Sequence, residues 1–323
     1  MKAFQYVSPR SAEDAVSLVK DGGRFLAGGI DLLGELKEYL TEAGTLVNIK
    51  ALPGLDQMVQ SEGWWKIGGN VTVAQVAQHP EIKKAFPGLH EAAREVGSPQ
   101  IRNMATVAGN LAQHSRCWYY RQRDITCLKK GGSACHAREG ENKYHSLFSG
   151  NPCISPVVSN LAVALAALDA NVLIQRGGSK TLLKIAPFYA RAWDNPVAHH
   201  SLDPGDLILE IQVPPRLDHS SYLQVSEKSA FDWALVSCAA AAKFADRKVV
   251  EARIAMGAVA PVPYRVEAAD QILHGQSLSE TLATQVADAV LKDAKPFAQN
   301  GYKIPLAHAL IRRTLMKLRD TSN

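Results

Sequence analysis

Four of the five cysteines in this chain lie within one polar segment, residues 114–153. The fifth, Cys238, lies far along the chain in the apolar run "WALVSCAAAA" and is interpreted as a buried small hydrophobe. Thiolates are ligands for both zinc and iron–sulfur clusters, whereas disulfides are rare in a reducing compartment. The segment is therefore the first candidate for metal chemistry, through four residues: Cys117, Cys127, Cys135 and Cys153.

The spacing of these cysteines, with nine, seven and seventeen residues between them, differs from that of a structural zinc site. Zinc usually takes thiolates in pairs with roughly two to four residues between them, because one tight turn then aims both sulfurs at the ion. A long loop suits a bulkier 4Fe–4S cluster, whose negative charge the segment's seven Lys and Arg, against three Asp and Glu, would offset. His114, His136 and His145 also allow a mixed Cys/His zinc site. The residues alone leave a cluster, zinc and free thiols as alternatives.

A second candidate is the glycine pair in "FLAGGIDLL", residues 25–33. A strand that ends at Ala27-Gly28-Gly29 and leads into a helix capped by Asp31 presents consecutive backbone N–H groups with no side chain in the way. The helix N-terminus adds partial positive charge, so this loop could bind phosphate. It is neither a dinucleotide fingerprint nor a P-loop, and a tight turn that requires glycine is the simpler explanation.

A third motif, "MATVAGNLA" at residues 104–112, contains Gly109-Asn110, which by itself predicts only a turn. The sequence has no nucleophile elbow, no HExxH and no paired-carboxylate pattern, so nothing in it indicates a hydrolase.

The elements around these motifs alternate between helices and strands in the first half of the chain. "SNLAVALAALDA" is apolar on nearly every side and predicts a buried helix, and "NVLIQ" and "DLILEIQVP" predict strands. Three later segments predict the strands of an antiparallel meander, and three helices are predicted after it. These segments are "YLQVSEK", "ALVSCAAAAKF" and "KVVEARIAMGAV". The natural boundaries fall near residues 57 and 216.

The composition fits a globular protein of two or three domains, with 323 residues, 46% hydrophobic and 21% charged. It contains no run of 18 apolar residues, so no membrane span is expected. The net charge of +5 is mild and most of the excess lies around the cysteines. Nucleic-acid binding is not expected, because no recognised binding motif accompanies this basic patch.

Taken together, these pieces resemble the FAD-binding medium subunit of the xanthine oxidase family of molybdenum hydroxylases. "FLAGGIDLL" is similar to the family's first flavin motif and "ATVAGNLA" to its second. Four further blocks extend the resemblance over nearly the whole chain: "LDPGDLILEIQVPP", "FDWALVSCAAA", "RIAMGAVAPVPYR" and "YKIPLAHALIRR".

The cysteine segment interrupts the second flavin motif, between "GNLAQ" and "SPVVSNLAVAL". It resembles the inserted loop of periplasmic-type bacterial aldehyde oxidoreductase and of 4-hydroxybenzoyl-CoA reductase, which binds an extra 4Fe–4S cluster. The resemblance therefore implies that the four cysteines of the segment bind one such cluster.

The implied fold is α+β, a two-subdomain FAD-binding fold of the PCMH/vanillyl-alcohol-oxidase type. A C-terminal domain with a three-stranded antiparallel sheet and helices follows. The implied domains are residues 1–57, residues 58–215 with the iron–sulfur insertion at about 114–153, and residues 216–323.

The resemblance also implies the flavin contacts. The first motif would hold the pyrophosphate and the ribityl chain through Phe25, Leu26, Ala27, Gly28, Gly29, Ile30, Asp31 and Leu32. The diphosphate site would be completed by Thr106, Gly109 and Asn110. Ile208 would lie beside the flavin ring. Three positions depart from the family pattern: Ile30 replaces a common Thr, Asn160 an acidic residue, and Gln224 a Lys whose charge would tune the flavin potential.

The implied function is that of an electron-transfer subunit without catalytic residues of its own. Substrate would be oxidised at molybdenum on a large subunit, and electrons would pass through a small 2Fe–2S subunit to FAD here and then to an external acceptor. Two alternatives are a stand-alone flavin oxidase, for which no acid–base residues can be nominated, and a zinc-loop interaction module without flavin. The expected location is the cytoplasm, or the periplasm if a partner subunit carries an export signal.

Overall fold

The computed structural model describes residues 1–20, 22–217 and 219–321, and its strands form three separate sheets. The first sheet is parallel, with the order β1-β3-β2. Its strands are β1 (Gln5–Val7), β2 (Arg24–Leu26) and β3 (Thr45–Asn48), and its helices are α1 (Ala12–Leu18) and α2 (Leu32–Lys37). Ser11 caps α1, as the sequence predicts, by accepting a hydrogen bond from the backbone N–H of Asp14 at 3.0 Å.

The second sheet is antiparallel and has five strands in the order β4-β5-β8-β6-β7. The strands are β4 (Met58–Ser61), β5 (Trp64–Gly68), β6 (Asn171–Arg176), β7 (Ser179–Lys184) and β8 (Leu207–Val213). Between β5 and β6 lie α3 (Val73–Gln78), α4 (Pro80–Ala85), α5 (Pro87–Arg94), α6 (Pro99–Met104), α7 (Val107–Leu111), α8 (Trp118–Arg121) and α9 (Asn160–Ala167). Helix α10 (Ile185–Asp194) follows β7. Proline begins three of these helices, because its missing N–H is not needed in a first turn.

The third sheet is the predicted antiparallel meander, formed by β9 (His219–Val225), β10 (Val236–Ala245) and β11 (Lys248–Gly257). The three predicted helices follow as α11 (Glu267–Leu273), α12 (Glu280–Leu291) and α13 (Lys303–Thr321). Cys238 on β10 is fully buried in the apolar core between this sheet and the helices, as expected for a small hydrophobe. None of the described helices is both long and apolar enough to span a membrane.

Helix α9 is buried along its whole length, as its uniformly apolar sequence predicts. It packs against the helices α5, α7 and α10 and against the strands β10 and β11. Its alanines allow this close approach, since each adds only a methyl group to the helix surface. The helix thus joins the second sheet and the meander, and the predicted α+β architecture is confirmed.

The cysteine segment has little regular structure beyond α8 and a single 3₁₀ turn at Leu128–Lys130. Its second half is attached to the C-terminal region by paired amide contacts. The backbone N–H of Asn142 donates to the Gln299 side chain at 3.1 Å, and the N–H of Gln299 donates back to Asn142 Oδ1 at 2.9 Å. Asn300 donates to the carbonyl oxygens of His145 and Ser146. Side-chain amides therefore replace the hydrogen bonds that a sheet or helix would otherwise supply.

Candidate functional site

A cavity of about 360 Å³ lies where the first glycine motif meets the second. The two motifs are far apart in sequence, yet both contribute to its wall, and we call it the main cavity. Ten of the predicted cofactor-binding residues line it: Phe25, Ala27, Gly28, Gly29, Ile30, Asp31, Leu32, Thr106, Gly109 and Asn110. Its volume lies within the range of roughly 300–1,000 Å³ that is usual for small-molecule and cofactor sites.

Both glycines of the first motif are required by the local backbone. A Cβ on Gly28 would lie 1.8 Å from the carbonyl oxygen of Met104, so glycine allows the two motifs to touch. Gly29 has φ = +75°, in the left-handed region, and a Cβ there would lie 2.9 Å from a Leu33 methyl group. The glycine pair therefore brings the motifs together, and at the same time leaves the loop's backbone uncovered on the cavity side.

The second motif is fixed by side-chain hydrogen bonds. Thr106 caps α7 by accepting from the N–H of Gly109 at 3.1 Å. The hydroxyl of Ser159, which also caps α9, donates to Asn110 Oδ1 at 2.6 Å. Ser159 belongs to the stretch beyond the cysteine segment, so this bond rejoins the two halves of the motif that the insertion separates in sequence.

Four predicted flavin contacts lie outside the wall of the main cavity. Leu26 lies on β2 and packs beside the loop, and Ile208 is buried on β8. Asn160 and Gln224 form a separate amide cluster, in which Asn160 Nδ2 donates to Gln224 Oε1 at 3.0 Å. The Tyr222 hydroxyl donates to the same oxygen at 3.0 Å. The two amides therefore satisfy each other without a charge.

Asp31 does not cap α2, contrary to the sequence prediction. Although it lies at the N-cap position, its side chain makes no cap hydrogen bond. Instead it contacts the guanidinium groups of Arg116 and Arg121, each at 2.8 Å, and accepts from the backbone N–H of His114 at 2.8 Å. Burial alone would raise the pKa of Asp31, but these cations and the N–H bond together lower it. Two arginines from the cysteine segment are stronger partners than a local N–H group.

Glu35, one turn further along α2, is buried and binds the same segment. The segment formed by residues 114–121, which we call the anchor segment, contacts Glu35 through His114 Nδ1 and the Tyr120 hydroxyl, each at 3.0 Å. Arg121 Nη1 lies 3.6 Å from the same carboxylate. Sequence reasoning did not single out Glu35, and it assigned Arg116 and Arg121 only to the general positive charge around the cysteines. The available signal was the pair of carboxylates four positions apart, which share one helix face.

All four predicted cysteine ligands line a second, smaller cavity, the cysteine cavity. Its wall also contains Lys129, His136 and His145, and His145 Nε2 lies 3.1 Å from Cys117 Sγ. The fold thus gathers thiols that are spread over the whole segment. They surround a common space without meeting at one point, and within the described ranges no three or more His, Cys, Asp or Glu side chains are grouped so as to hold a single ion.

The thiols differ in how readily they lose their protons. Burial raises the pKa of the Cys117 thiol to about 11. A hydrogen bond from the Cys153 thiol lowers the pKa of Cys135 to about 6, and the same bond raises the pKa of Cys153. A metal or cluster that binds here must therefore displace protons, because thiolates and not thiols are the ligands.

The basic residues of the segment serve two sites. Lys129 lines the cysteine cavity and donates to the carbonyl oxygen of Ala198 at 2.7 Å. Burial lowers the pKa of Lys129, while the surrounding cysteines act in the opposite direction. Arg116 and Arg121 instead turn towards Asp31. Part of the local positive charge, that of Arg116 and Arg121, is therefore already paired with a carboxylate outside the cysteine cavity.

A short stack of imidazole rings adjoins the main cavity. The rings of His114 and His199 are parallel, with centroids 4.1 Å apart, and His114 and His200 line the main cavity. The N–H of Ser115 donates to His199 Nδ1 at 3.2 Å, and the N–H of Cys117 donates to Ser115 Oγ at 3.0 Å. Contacts between neighbouring groups thus connect the main cavity with the first cysteine.

Comparison with known protein families identifies the family to which this chain belongs. Residues 2–216 match the FAD binding domain in molybdopterin dehydrogenase, and residues 221–318 match the CO dehydrogenase flavoprotein C-terminal domain. The chain therefore belongs to the family of FAD-binding subunits of molybdenum hydroxylases and is an oxidoreductase subunit. The family resemblance predicted from the two flavin motifs is confirmed.

Individual relatives agree with this assignment. The aldehyde oxidoreductase FAD-binding subunit PaoB of Escherichia coli is 34% identical over 99% of both chains. The carbon monoxide dehydrogenase medium chain of Hydrogenophaga pseudoflava is 24% identical over 97% of this chain and 96% of that protein. The solved structure of quinoline 2-oxidoreductase from Pseudomonas putida shares the fold, with a TM-score of 0.77 at 22% identity over 99% of both chains. The predicted two-subdomain FAD-binding fold with its C-terminal sheet-and-helix domain is confirmed.

Proposed function

We propose that this chain transfers electrons through an FAD in the main cavity and a 4Fe–4S cluster in the cysteine cavity. Bound FAD would exchange electrons with its neighbours, and the protein would supply binding, orientation and electrostatics. The observation that carries the proposal is the pair of cavities, one lined by both flavin motifs and the other by all four clustered thiols.

The residues of the main cavity fit an FAD. Gly28 and Gly29 leave backbone groups uncovered beside the cavity, and Thr106 and Gly109 line the same cavity. These groups would hold the diphosphate, while Trp233, whose indole is partly exposed, lines the same cavity and offers a flat apolar surface. The roles of Ile208, Asn160 and Gln224 beside the flavin ring stay predictions from the family resemblance.

The residues of the cysteine cavity fit a 4Fe–4S cluster by the chemistry of their donors. Four thiols are the usual ligand set of such a cluster, and the buried Lys129 ammonium offers a compensating positive charge. His136 and His145 in the same wall would suit a mixed zinc site, so the metal content decides between the two.

The environment of the main cavity argues against a stand-alone oxidase, which needs a free acid or base beside its substrate. The carboxylates of Asp31 and Glu35 are held in ion pairs, and burial lowers the pKa of His200 to about 3. We therefore propose that substrate is oxidised on a large molybdenum-cofactor subunit and that electrons reach this chain through a small 2Fe–2S subunit. They would then leave to an external acceptor, in the cytoplasm or, with an export signal on a partner, in the periplasm.

The proposed domains are residues 1–57, 58–215 and 216–323. Each of the three sheets lies wholly within one of these ranges, and the cysteine insertion at about 114–153 interrupts the second. The division therefore separates the strands into units, each with its own sheet.

Metal and flavin analysis of the anaerobically purified full chain tests the two cofactor sites. We expect one FAD, with about four irons and four acid-labile sulfides per chain, the content of one 4Fe–4S cluster. Stoichiometric zinc without iron would contradict the cluster, and a protein without flavin would contradict the role of the main cavity.

Purification from the native source tests the subunit role. We expect the chain to co-purify with a molybdenum-containing large subunit and a small 2Fe–2S subunit, and the isolated chain to aggregate because an apolar interface is uncovered. The isolated chain should pass electrons to an artificial acceptor without oxidising aldehydes or aromatic heterocycles. A monodisperse single chain that turns over an organic substrate would favour the stand-alone oxidase.

A further inference from the structure

The anchor segment supplies the positive charge that neutralises both carboxylates at the base of the main cavity. Asp31 lines that cavity, and its side chain is only 18% exposed; the side chain of Glu35 is 3% exposed. The guanidinium group of Arg116 contacts Asp31, and that of Arg121 contacts both Asp31 and Glu35. The two negative and two positive charges balance within one partly buried cluster.

This balance bears directly on an anionic ligand. A dinucleotide diphosphate carries negative charge, and a carboxylate in the same poorly solvated wall would repel it. With the anchor segment in its observed position, Arg116 itself lines the main cavity and the charge of Asp31 is compensated. Without the segment, two uncompensated carboxylates would lie at the start of α2, beside the glycine loop.

The anchor segment is in turn fixed to the first cysteine. Arg121 Nε donates to the carbonyl oxygen of Ser115 at 2.6 Å, and the N–H of Arg121 donates to the carbonyl oxygen of Cys117 at 2.9 Å. The N–H of Cys117 donates to Ser115 Oγ at 3.0 Å. A ligand that holds the Cys117 sulfur therefore also holds the backbone from which both arginines extend.

We infer that Asp31, Glu35 and Arg121 are positioning residues that make retention of the flavin depend on the anchor segment, and through it on the occupied cysteine loop. The inference rests on the proposed function, since it assumes FAD in the main cavity and a cluster on the cysteines. It adds a direction of dependence: loss of the cluster weakens flavin binding through the ion pairs of Asp31, Glu35 and Arg121.

The first test measures FAD affinity after removal of Arg121, which does not line the main cavity. Deflavinated full-length Arg121→Met should bind FAD with a Kd about tenfold higher than that of the wild type, because a partly buried ion pair loses its cation. The matched control is Arg312→Met, which breaks the exposed ion pair with Glu280 and should leave the Kd unchanged. If Arg121→Met fails to fold, Arg121→Gln replaces it in the same titration.

A second variant separates charge balance from general damage to the fold. Glu35→Gln in the Arg121→Met background removes the carboxylate that has lost its arginine, while Tyr120 and His114 keep a hydrogen-bonding partner. The double variant should recover most of the lost FAD affinity. If it binds FAD no better than Arg121→Met alone, the effect is structural and the inference is wrong.

The dependence on the cysteine loop is tested with Cys127→Ser, whose cysteine lies outside the anchor segment. Anaerobically purified Cys127→Ser should contain less iron and should also bind FAD about tenfold more weakly, through the same loss of charge compensation. Cys238→Ser, in the apolar core, should keep both iron and FAD affinity. An iron-depleted Cys127→Ser with wild-type FAD affinity overturns the inference and leaves the proposed function intact. A wild-type chain that holds no iron or no flavin overturns the proposed function instead.

Discussion

At the main cavity two stretches of backbone lie against each other, since no Cβ fits between Gly28 and the carbonyl group of Met104. At the cysteine cavity the wall is formed by side chains from one irregular loop, with Cys127 and Cys153 buried and Cys117 beside His145. The first site therefore depends on the absence of side chains, and the second on the presence of four particular ones. Substitutions should consequently act on the two sites in different ways.

The largest expected effect is on the metal content of the cysteine cavity. Serine in place of Cys117, Cys127, Cys135 or Cys153 should remove most of the bound iron, because the remaining three thiolates bind a 4Fe–4S cluster weakly. The measurement is iron and acid-labile sulfide per chain after anaerobic purification. Cys238→Ser is the matched control, and a loss of iron in that variant would show that the assay reports folding and not ligation.

At the main cavity, the largest effect is expected from Gly28→Ala. A Cβ at this position would lie 1.8 Å from the Met104 carbonyl oxygen, so the two motifs must move apart. We expect the free energy of unfolding to fall by about 3 kcal/mol, as in severe overpacking, and the flavin to be lost. Denaturant titration and the flavin absorbance of the purified protein measure the two effects. Retention of both would mean that the motifs do not need to touch.

Gly29→Val should have a smaller effect on folding but the same effect on flavin. Its φ of +75° disfavours a β-branched residue, and the added side chain meets the flexible Leu33 side chain, not backbone. We expect a loss of about 2 kcal/mol of stability and a protein that purifies without FAD. Gly275→Val, at another glycine with positive φ (73°) and open space around it, is the control for backbone strain alone. Full flavin content in Gly29→Val would exclude this loop as the pyrophosphate site.

The smallest expected effect concerns Lys303, which attaches the cysteine segment to α13. Its Nζ donates to the carbonyl oxygens of Tyr144 and Ala258 at 3.0 and 2.8 Å, and burial lowers its pKa to about 7. Between this value and the usual lysine pKa the unfolded chain binds more protons than the folded chain. The Lys303 contribution to stability should therefore increase as the pH rises from neutral towards 10.

The two carbonyl contacts of Lys303 favour its charged form, so they oppose the effect of burial and reduce the expected change. The measurement is the free energy of unfolding as a function of pH for the wild type and for Lys303→Met. The slope in this window should be smaller in the variant, and equal slopes would contradict a depressed pKa.

Several features of the molecule could be predicted from local sequence because short-range physics decides them. The all-apolar stretch that became α9, the meander of β9, β10 and β11, and the Ser11 cap all follow from periodicity and side-chain chemistry within a few residues. The two flavin motifs were likewise recognisable as short strings, and they led to the family. The clustering of four thiols indicated metal chemistry without deciding which metal.

Contacts between distant segments decided the rest. Locally, Asp31 is a good N-cap, and only the tertiary structure brings Arg116 and Arg121 against it as stronger partners. The amides of Asn160 and Gln224, which are 64 positions apart in sequence, bond to each other in space. The sequence by itself determined the elements and the motifs named above, because these depend on neighbouring residues. Only the tertiary structure decided which charges meet, since electrostatic energy depends on distance and burial, and neither is encoded in the local pattern.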